Sequence, residues 1–310
     1  MKLLVTGGAG FIGSHLVDAC VAAGHDVAVI DDLSTGDAAQ VNPGARLHRV
    51  DLRDRAAVDD VIARERPEVI SHHAAQLDVR RSVADPVFDA QVNLIGLLNL
   101  MEAGRAHGLR RVILASSGGV VYGDSQELPT SERAPTEPIS PYGVAKLGSE
   151  RYLHYYWHVH GIPSVALRYG NVYGPRQNPH GEAGVVAIFT GALLDGGAPV
   201  INGPGTQTRD YVFVGDVVRA NLLALASDYR GALNVGTGLE TDVNRLFALL
   251  CDAIGAHPPE RHGPAKAGEQ LRCVLDPRRA AEAIGWRPEV ELADGLSRTV
   301  DFFRRRRTAH

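Results

Sequence analysis

The sequence predicts an α/β fold: a Rossmann-type doubly wound parallel sheet followed by a smaller C-terminal α/β substrate domain. Three observations carry this. A short apolar strand, Leu3-Leu4-Val5, runs into a glycine-rich turn and then a stretch with helical spacing. Apolar strands and helical stretches go on alternating as far as Arg168. Beyond it the pattern loosens and grows richer in Gly and Pro. Repeated βα units imply a parallel sheet with helices on both faces.

In order, Ile12, Leu16, Ala19, Cys20 and Ala23 mark the first helix, which Gly24 ends. Val27–Ile30 is the second strand, ending at Asp31-Asp32. Leu47–Val50 is the third, leading to Asp51 and Leu52, and a helix covers 56–66. The strand 69–75 ends in small residues. A long helix spans 88–107, with Phe88, Val92, Ile95 and Leu98 on one side. The strand 111–116 follows. The helix after Pro141 runs to His160, and Ser164–Arg168 is a strand. The stretch 169–175 reads as a loop. Further along come a helix 185–194, a short strand and turn 199–203, a strand 209–214 and a helix 215–226. Leu233–Val235 is a late strand of the first sheet. Thr241 or Asp242 caps a helix to Ile254, and a last helix covers 292–307. The expected division is a nucleotide domain over 1–171, with a return near 213–238, and a substrate domain over 172–310.

A chain of 310 residues can build two cores. Its net charge of −4 opposes a nucleic-acid binder that works through a broad basic surface. The run Arg304–Arg307 suits a helix C-terminus instead. No apolar run approaches the roughly 20 residues that span a bilayer. The chain enters its first strand at once, which leaves no room for a secretory signal. Three scattered cysteines, Cys20, Cys251 and Cys273, fit a reducing compartment better than a disulfide framework. The expectation is a cytoplasmic protein with no nucleic-acid or membrane partner.

The chemistry starts at Gly7, Gly10 and Gly13, a G-x-x-G-x-x-G turn between strand and helix. Glycines there let the backbone approach a ligand, and the helix N-terminus faces an anion such as a pyrophosphate. Asp31 follows Gly13 by 18 residues, so its carboxylate can accept both hydroxyls of an adenosine ribose and would repel a 2′-phosphate. NAD is therefore expected over NADP. In a doubly wound sheet the ligand lies at the carboxyl ends of the strands, which aligns Gly7, Asp31, Asp51, Ala74 and Ser116-Ser117 along one edge.

Tyr142 and Lys146 stand four apart on a helix, on one face. A phenol of ordinary pKa about 10 is a poor base at neutral pH. A fixed ammonium nearby favours the phenolate, so the pair is expected to move a proton near pH 7.

Thr6–Gly13, Asp31, Val121-Tyr122-Gly123, Pro141-Tyr142 with Lys146, Asn171 and Arg209-Asp210-Tyr211 together resemble the extended short-chain dehydrogenase/reductases, over nearly the whole chain. Within that family the stretches 168–177 and 180–186 are similar to bacterial UDP-glucose (UDP-galactose) 4-epimerases. The resemblance implies a redox-neutral inversion at sugar C4 through a transient 4-keto sugar, with NAD kept bound. It makes Tyr142 the base, gives Lys146 the nicotinamide ribose, and asks for a hydroxyl at the end of the 111–116 strand. The family's usual position for that hydroxyl is Gly118. This chain offers Ser117, or less favourably Ser116. Dehydratases and decarboxylases of the superfamily carry a carboxylate directly after the hydroxyl. Gly118 and Gly119 supply none, which favours epimerisation.

The cofactor set so implied is Gly7, Gly10, Phe11, Ile12, Gly13, Asp31, Asp32, Asp51, Leu52, Ala74, Ala75, Asn93, Ser116, Tyr142, Lys146 and Tyr169. On the substrate side, beside Ser117 and Tyr142, Arg209 grips the diphosphate and Asn171 binds the sugar nucleotide. Val185, Val186, Val200 and Asn202 flank the uracil. Lys266 and Glu269 replace the family's Arg and Asp, a point charge where a bidentate fork is usual. Cys273 falls at the family's pocket gate, where a small residue leaves room for an N-acetyl group. Alternatives are therefore a 4-epimerase for UDP-N-acetylhexosamine or UDP-glucuronate, or another NAD-dependent nucleotide-sugar oxidoreductase or dehydratase. Homodimerisation through the 88–107 and 141–160 helices is also implied. His154 and His158, four apart, read as surface residues, and His72-His73 as structural. No metal site is expected.

Overall fold

The computed structural model describes residues 1–179, 184–265 and 270–308. In chain order its elements are β1 (Lys2–Thr6), α1 (Phe11–Ala22), β2 (Asp26–Asp31), β3 (Arg46–Arg49), α2 (Arg55–Glu65), β4 (Val69–His72), α3 (Val79–Ala84), α4 (Pro86–Ala90), α5 (Gly96–Ala106), β5 (Arg111–Ser117), α6 (Gly118–Val121), α7 (Pro141–His160) and β6 (Ser164–Tyr169). There follow β7 (Asn171–Tyr173), α8 (Val185–Leu194), β8 (Val200–Asn202), β9 (Thr208–Arg209), β10 (Tyr211–Phe213), α9 (Val214–Ala226), β11 (Gly231–Val235), β12 (Thr241–Asp242), α10 (Val243–Ile254), β13 (Arg261–Gly263), α11 (Arg278–Ile284) and α12 (Leu292–Thr308).

The chain divides into two compact units. The first holds Met1–Gly123, Thr136–Arg168 and Val218–Leu233; the second holds Asp124–Pro135, Tyr169–Val217 and the chain from Asn234 onward. The first is built on a seven-stranded sheet in the order β11-β6-β5-β4-β1-β2-β3. The pairs from β3 through β5 are parallel. Strand order reverses at β1, so Thr6 and His72, paired in register, stand at the switch point where such sheets take ligands. The late strand β11 joins this sheet, as its sequence suggests.

Strand alternation supplies both cores. Leu4, Ile30 and Ile70 point to one face, against Leu97, Leu100 and Met101 of α5 and Leu153 of α7. Leu3, Val5, Val27 and Val29 point to the other, against Leu16 and Val17 of α1. A parallel sheet covered on both sides needs apolar residues at consecutive positions, as β1 and β2 have.

In the second unit, two-residue and three-residue strands pair as β7·β10, β9·β12 and β8·β13. Helices α8, α10 and α12 pack on one another. Trp286 is fully buried and donates its indole N–H to the carbonyl of Asp216 at 2.8 Å. The Asp216 carboxylate accepts the N–H groups of Glu289 and Val290. The basic run has a structural use here. Arg304 donates to the Ile254 carbonyl and Arg307 to that of Gly191, the open ends of α10 and α8.

Three expectations need correction. The 88–107 helix starts at Pro86 and carries a π-helical turn, Gln91–Ile95. One extra residue rotates the helix by roughly 100°. Ile95 therefore turns outward, and the buried face becomes Leu97, Leu100, Met101 and Gly104. The stretch 169–175 contains a strand, β7, rather than only loop. The single strand read over 209–214 is two short ones, β9 and β10, broken at Asp210.

Candidate active site

The glycine turn is made by contacts that admit no side chain. Gly7 has φ +69°, and a Cβ there would lie 2.6 Å from the Ala74 nitrogen. A Cβ on Gly13 would fall on the Gly7 carbonyl oxygen. Gly7 donates to Ile30 O at 2.8 Å and Gly10 to Gly7 O at 3.1 Å, so the turn is tied to β2 and to itself. Gly10 caps α1 without a side chain. The N–H groups of Phe11, Ile12 and Gly13, at the first turn, have no acceptor within the helix. This cradle fits a pyrophosphate.

Asp31, buried at the end of β2, accepts from Ala9 N–H and Leu33 N–H, each at 2.9 Å. Burial pushes its carboxyl up, and the two backbone donors oppose that. The carboxylate thus braces the glycine turn while keeping lone pairs for a ribose. The neighbours behave differently. Asp32 accepts from both the N–H and the hydroxyl of Ser34 in a local turn. Asp51 is held bidentate by Arg53, which keeps its carboxyl below the usual range. Leu52 is buried, and its carbonyl accepts from Asn99. Ala74 N–H meets the Thr6 hydroxyl, and Ala75 follows it. His72 shares a hydrogen bond with Thr6 at 2.7 Å, and His73 one with Ser71 at 3.0 Å. Burial lowers them to about 3 and about 4, so both are neutral structural residues.

Ser140 caps α7 by accepting Gly143 N–H, and Pro141 fills the first helical position. That sets Tyr142 and Lys146 on its first turns, with Lys146 reaching β5. The Lys146 ammonium is 5.7 Å from the Tyr142 ring centre and donates to Ala115 O at 2.9 Å. Burial lowers Lys146 to about 8. Tyr142 is pushed up, first by burial and then by the Asp89 carboxylate. Burial and Asp89 thus act on the phenol against the direction that a neighbouring ammonium favours.

The two serines part company. Ser116 is buried and donates to Glu150 at 2.6 Å. Glu150 is also gripped by Arg168 at 2.6 Å, and Arg168 donates to the Tyr122 hydroxyl. Ser116 therefore belongs to a buried network that fixes the end of β5. Ser117 stands before α6, half-buried, and its hydroxyl makes no cap bond. Asn93, expected at the cofactor, has its amide engaged elsewhere. Its oxygen accepts Gln76 N–H, and its nitrogen donates to Gln76 O and to Asp89. Gln76, Asp89, Glu150 and Arg168 were not singled out from the sequence. Their pairings are set by the folded packing, and only a polar residue in a buried face marks them.

The second unit carries the substrate-side residues. Arg209 donates to Thr208 O at 2.8 Å. Next to it, buried Asp210 accepts from Thr237 N–H and hydroxyl, Gly238 N–H and Leu275 N–H, which locks the turn beside Arg209. Cys273 N–H meets Thr208 O, and its side chain is buried, which pushes the thiol up to about 11. Asn171 heads β7, its N–H on Asp210 O, and Tyr169 is buried just before it. Asn202 accepts from Gln207. Val200 is exposed and Val185 half-buried, but Val186 is 1% exposed and sits in the core, so it presents no surface to a base. Lys266 and Glu269 lie outside the described residues, as do His180–Ala183. Among the described residues, no cluster of three metal-ligating side chains occurs.

Comparison with known proteins matches this geometry. The model of the NAD-dependent epimerase/dehydratase family matches residues 3–236. A UDP-glucose 4-epimerase of Mycolicibacterium smegmatis is 47% identical over 309 residues, 98% of this chain and 99% of that one. A UDP-glucose 4-epimerase of Thermotoga maritima, solved with UDP-glucose, superposes with a TM-score of 0.97 at 44% identity and covers 99% of each chain. One of Thermus thermophilus, solved with NAD, gives 0.93 at 46% identity, covering 98% of this chain and 99% of that one. With the glycine cradle, Asp31 and the Tyr142–Lys146 pair in place, the chain belongs to the NAD-dependent epimerase/dehydratase family of extended short-chain dehydrogenase/reductases.

Proposed function

We propose that the protein is a UDP-hexose 4-epimerase that interconverts UDP-glucose and UDP-galactose through a transient 4-keto sugar. The observation that carries this is Lys146 set beside the Tyr142 ring and bonded to the end of β5, the strand on which Ser117 offers a hydroxyl and after which Gly118-Gly119 offer no second acid. Gly7, Gly10, Gly13, the first turn of α1 and Asp31 would hold NAD, which when bound supplies the hydride acceptor and donor. Tyr142 takes the proton of the sugar 4-hydroxyl and later returns one to O4, once the keto sugar presents its other face. Lys146 keeps a positive charge beside it, which favours the phenolate. Ser117 hydrogen-bonds O4 and orients it. Ser116 holds the strand end rather than the sugar. Arg209 and Asn171, with Val185, Val200 and Asn202, serve the nucleotide diphosphate; Lys266 and Glu269 complete that set.

A second substrate is favoured by one residue. Cys273 is small and holds the position of the family's pocket gate, next to the Thr208–Arg209 strand, so UDP-N-acetylhexosamine is proposed as an additional substrate. The test is a coupled assay with UDP-galactose, UDP-GalNAc and UDP-galacturonate in parallel. Conversion of UDP-galactose with no net NADH supports the main reading, and conversion of none of the three refutes it. If Cys273→Tyr leaves the ratio of acetylated to plain activity unchanged, the second substrate proposal fails.

Among the described residues no helix is long and apolar enough to cross a membrane. The cysteines are free and buried, which supports a cytoplasmic setting. Val87, Ile95, Val144, Tyr155 and Val159 form an exposed apolar face on α4, the π turn and α7. A homodimer through that face is proposed; Val159→Glu should yield monomer by light scattering.

A further inference from the structure

We propose that Asp89 is a positioning residue of the reaction: a buried carboxylate, clamped in place, that sets the charge balance of the Tyr142–Lys146 pair. Asp89 stands on α4 and is 1% exposed. A buried carboxylate is costly unless it is hydrogen-bonded and faces a cation. Both conditions are met. One oxygen accepts from Gln76 Nε2 and from Asn93 Nδ2, each at 3.0 Å. Asn93 sits in the π turn, and its carbonyl accepts from Ser149 of α7 at 3.2 Å. The clamp therefore joins α4, the π turn and the catalytic helix. Asn93 follows Asp89 by four residues, so the two side chains meet across one helical turn, and the π turn lies at this point, where such turns are frequent at functional sites.

Asp89 lines one cleft with Pro141 and Ala145, the residues directly before Tyr142 and Lys146 on α7, so its negative charge bears on both side chains and raises each. Other groups around the pair leave this role to Asp89. Glu150, one turn beyond Lys146, also supports its charge but is committed to Arg168 and Ser116. From β4, His72 and His73 are neutral. Asp89 thus helps the ammonium survive burial, and it also restrains Tyr142 from ionising early. Both effects have one sign: removing the negative charge makes each group lose its proton at lower pH.

The inference rests on the proposed roles of Tyr142 and Lys146, and the test separates the two. In Asp89→Asn, both limbs of the pH profile of kcat should move to lower pH by roughly half a unit or more. The phenolate absorbance of Tyr142, read as a difference against Tyr142→Phe, should titrate lower by a similar amount without any turnover. A packing defect would lower the plateau or the Tm and leave the limbs where they are; that result overturns the inference. Should Asp89→Asn fail to fold, Asp89→Ser keeps a hydrogen-bonding group in less volume and must show the same shift. If the wild type converts no UDP-sugar, the function reading fails, and the phenolate titration alone still decides on Asp89.

Discussion

Gly13→Ala adds one methyl to the cofactor turn, and the structure says what it meets. The new Cβ lands on the Gly7 carbonyl oxygen, 2.8 Å from its carbon and 2.9 Å from Gly8 Cα. All three are backbone atoms, so no side chain can swing away. Gly7 cannot retreat, because its N–H is tied to Ile30 O at 2.8 Å and Ala74 stands against it. Relief must open the turn. Overpacking costs about 1–3 kcal/mol and a lost backbone hydrogen bond about 1 kcal/mol more. At 1.4 kcal/mol per tenfold, NAD affinity should fall by roughly 30- to 700-fold. Gly10→Ala is the control. Its Cβ would meet only Gly7 O, at 3.2 Å, and its backbone is extended rather than left-handed; a loss of less than about tenfold follows. The assay is calorimetric titration of cofactor-stripped protein with NAD. Binding by Gly13→Ala within threefold of wild type, or a larger loss in Gly10→Ala, would refute the reasoning.

Three further predictions follow from the same geometry. Ser117→Ala should lower kcat by about 100-fold or more with little change in unfolding midpoint, whereas Ser116→Ala should do the reverse, losing roughly 1 kcal/mol of stability; equal effects of the two would contradict the division of labour. Glu150→Gln leaves the buried Arg168 guanidinium without its counter-charge and should destabilise by about 3–5 kcal/mol in urea unfolding, while a loss under about 1 kcal/mol would show the pair to be dispensable. The histidines give an acid dependence. Their folded values, about 3 for His72 and about 4 for His73, lie below the ordinary 6.5, so the unfolded chain binds protons first and stability falls as pH drops from 6.5 toward 3. The slope should approach about 1.4 kcal/mol per pH unit for each histidine, and His73→Gln should roughly halve it.

The sheet was legible because each strand is a short apolar run closed by a polar or small residue: Val5 before Thr6-Gly7, Ile30 before Asp31, Ala115 before Ser116. The catalytic helix was legible because Pro141 opens it and Gly161 closes it. Helix α3 was missed for a plain reason: Val79 and Val83 face outward, so there is no apolar period to read. Helix α6 was missed because its single turn begins with two glycines. The π turn leaves no mark in residue spacing, yet it decides which side of the long helix is buried and where Asn93 points. The roles of Ser116 and Asn93 shifted because their partners, Glu150 and Gln76, are set by tertiary contact rather than by local pattern. Spacing reveals the ammonium beside Tyr142 but not the burial that opposes its effect.

Catalysis rests on proton transfer by Tyr142 at the sugar 4-hydroxyl. Its most direct test is conversion of UDP-galactose to UDP-glucose by the wild type and by Tyr142→Phe, both loaded with NAD. Removing the acid/base group should cut kcat by about 100- to 10,000-fold while NAD affinity stays near that of the wild type. A Tyr142→Phe protein that epimerises within tenfold of the wild type would contradict the account.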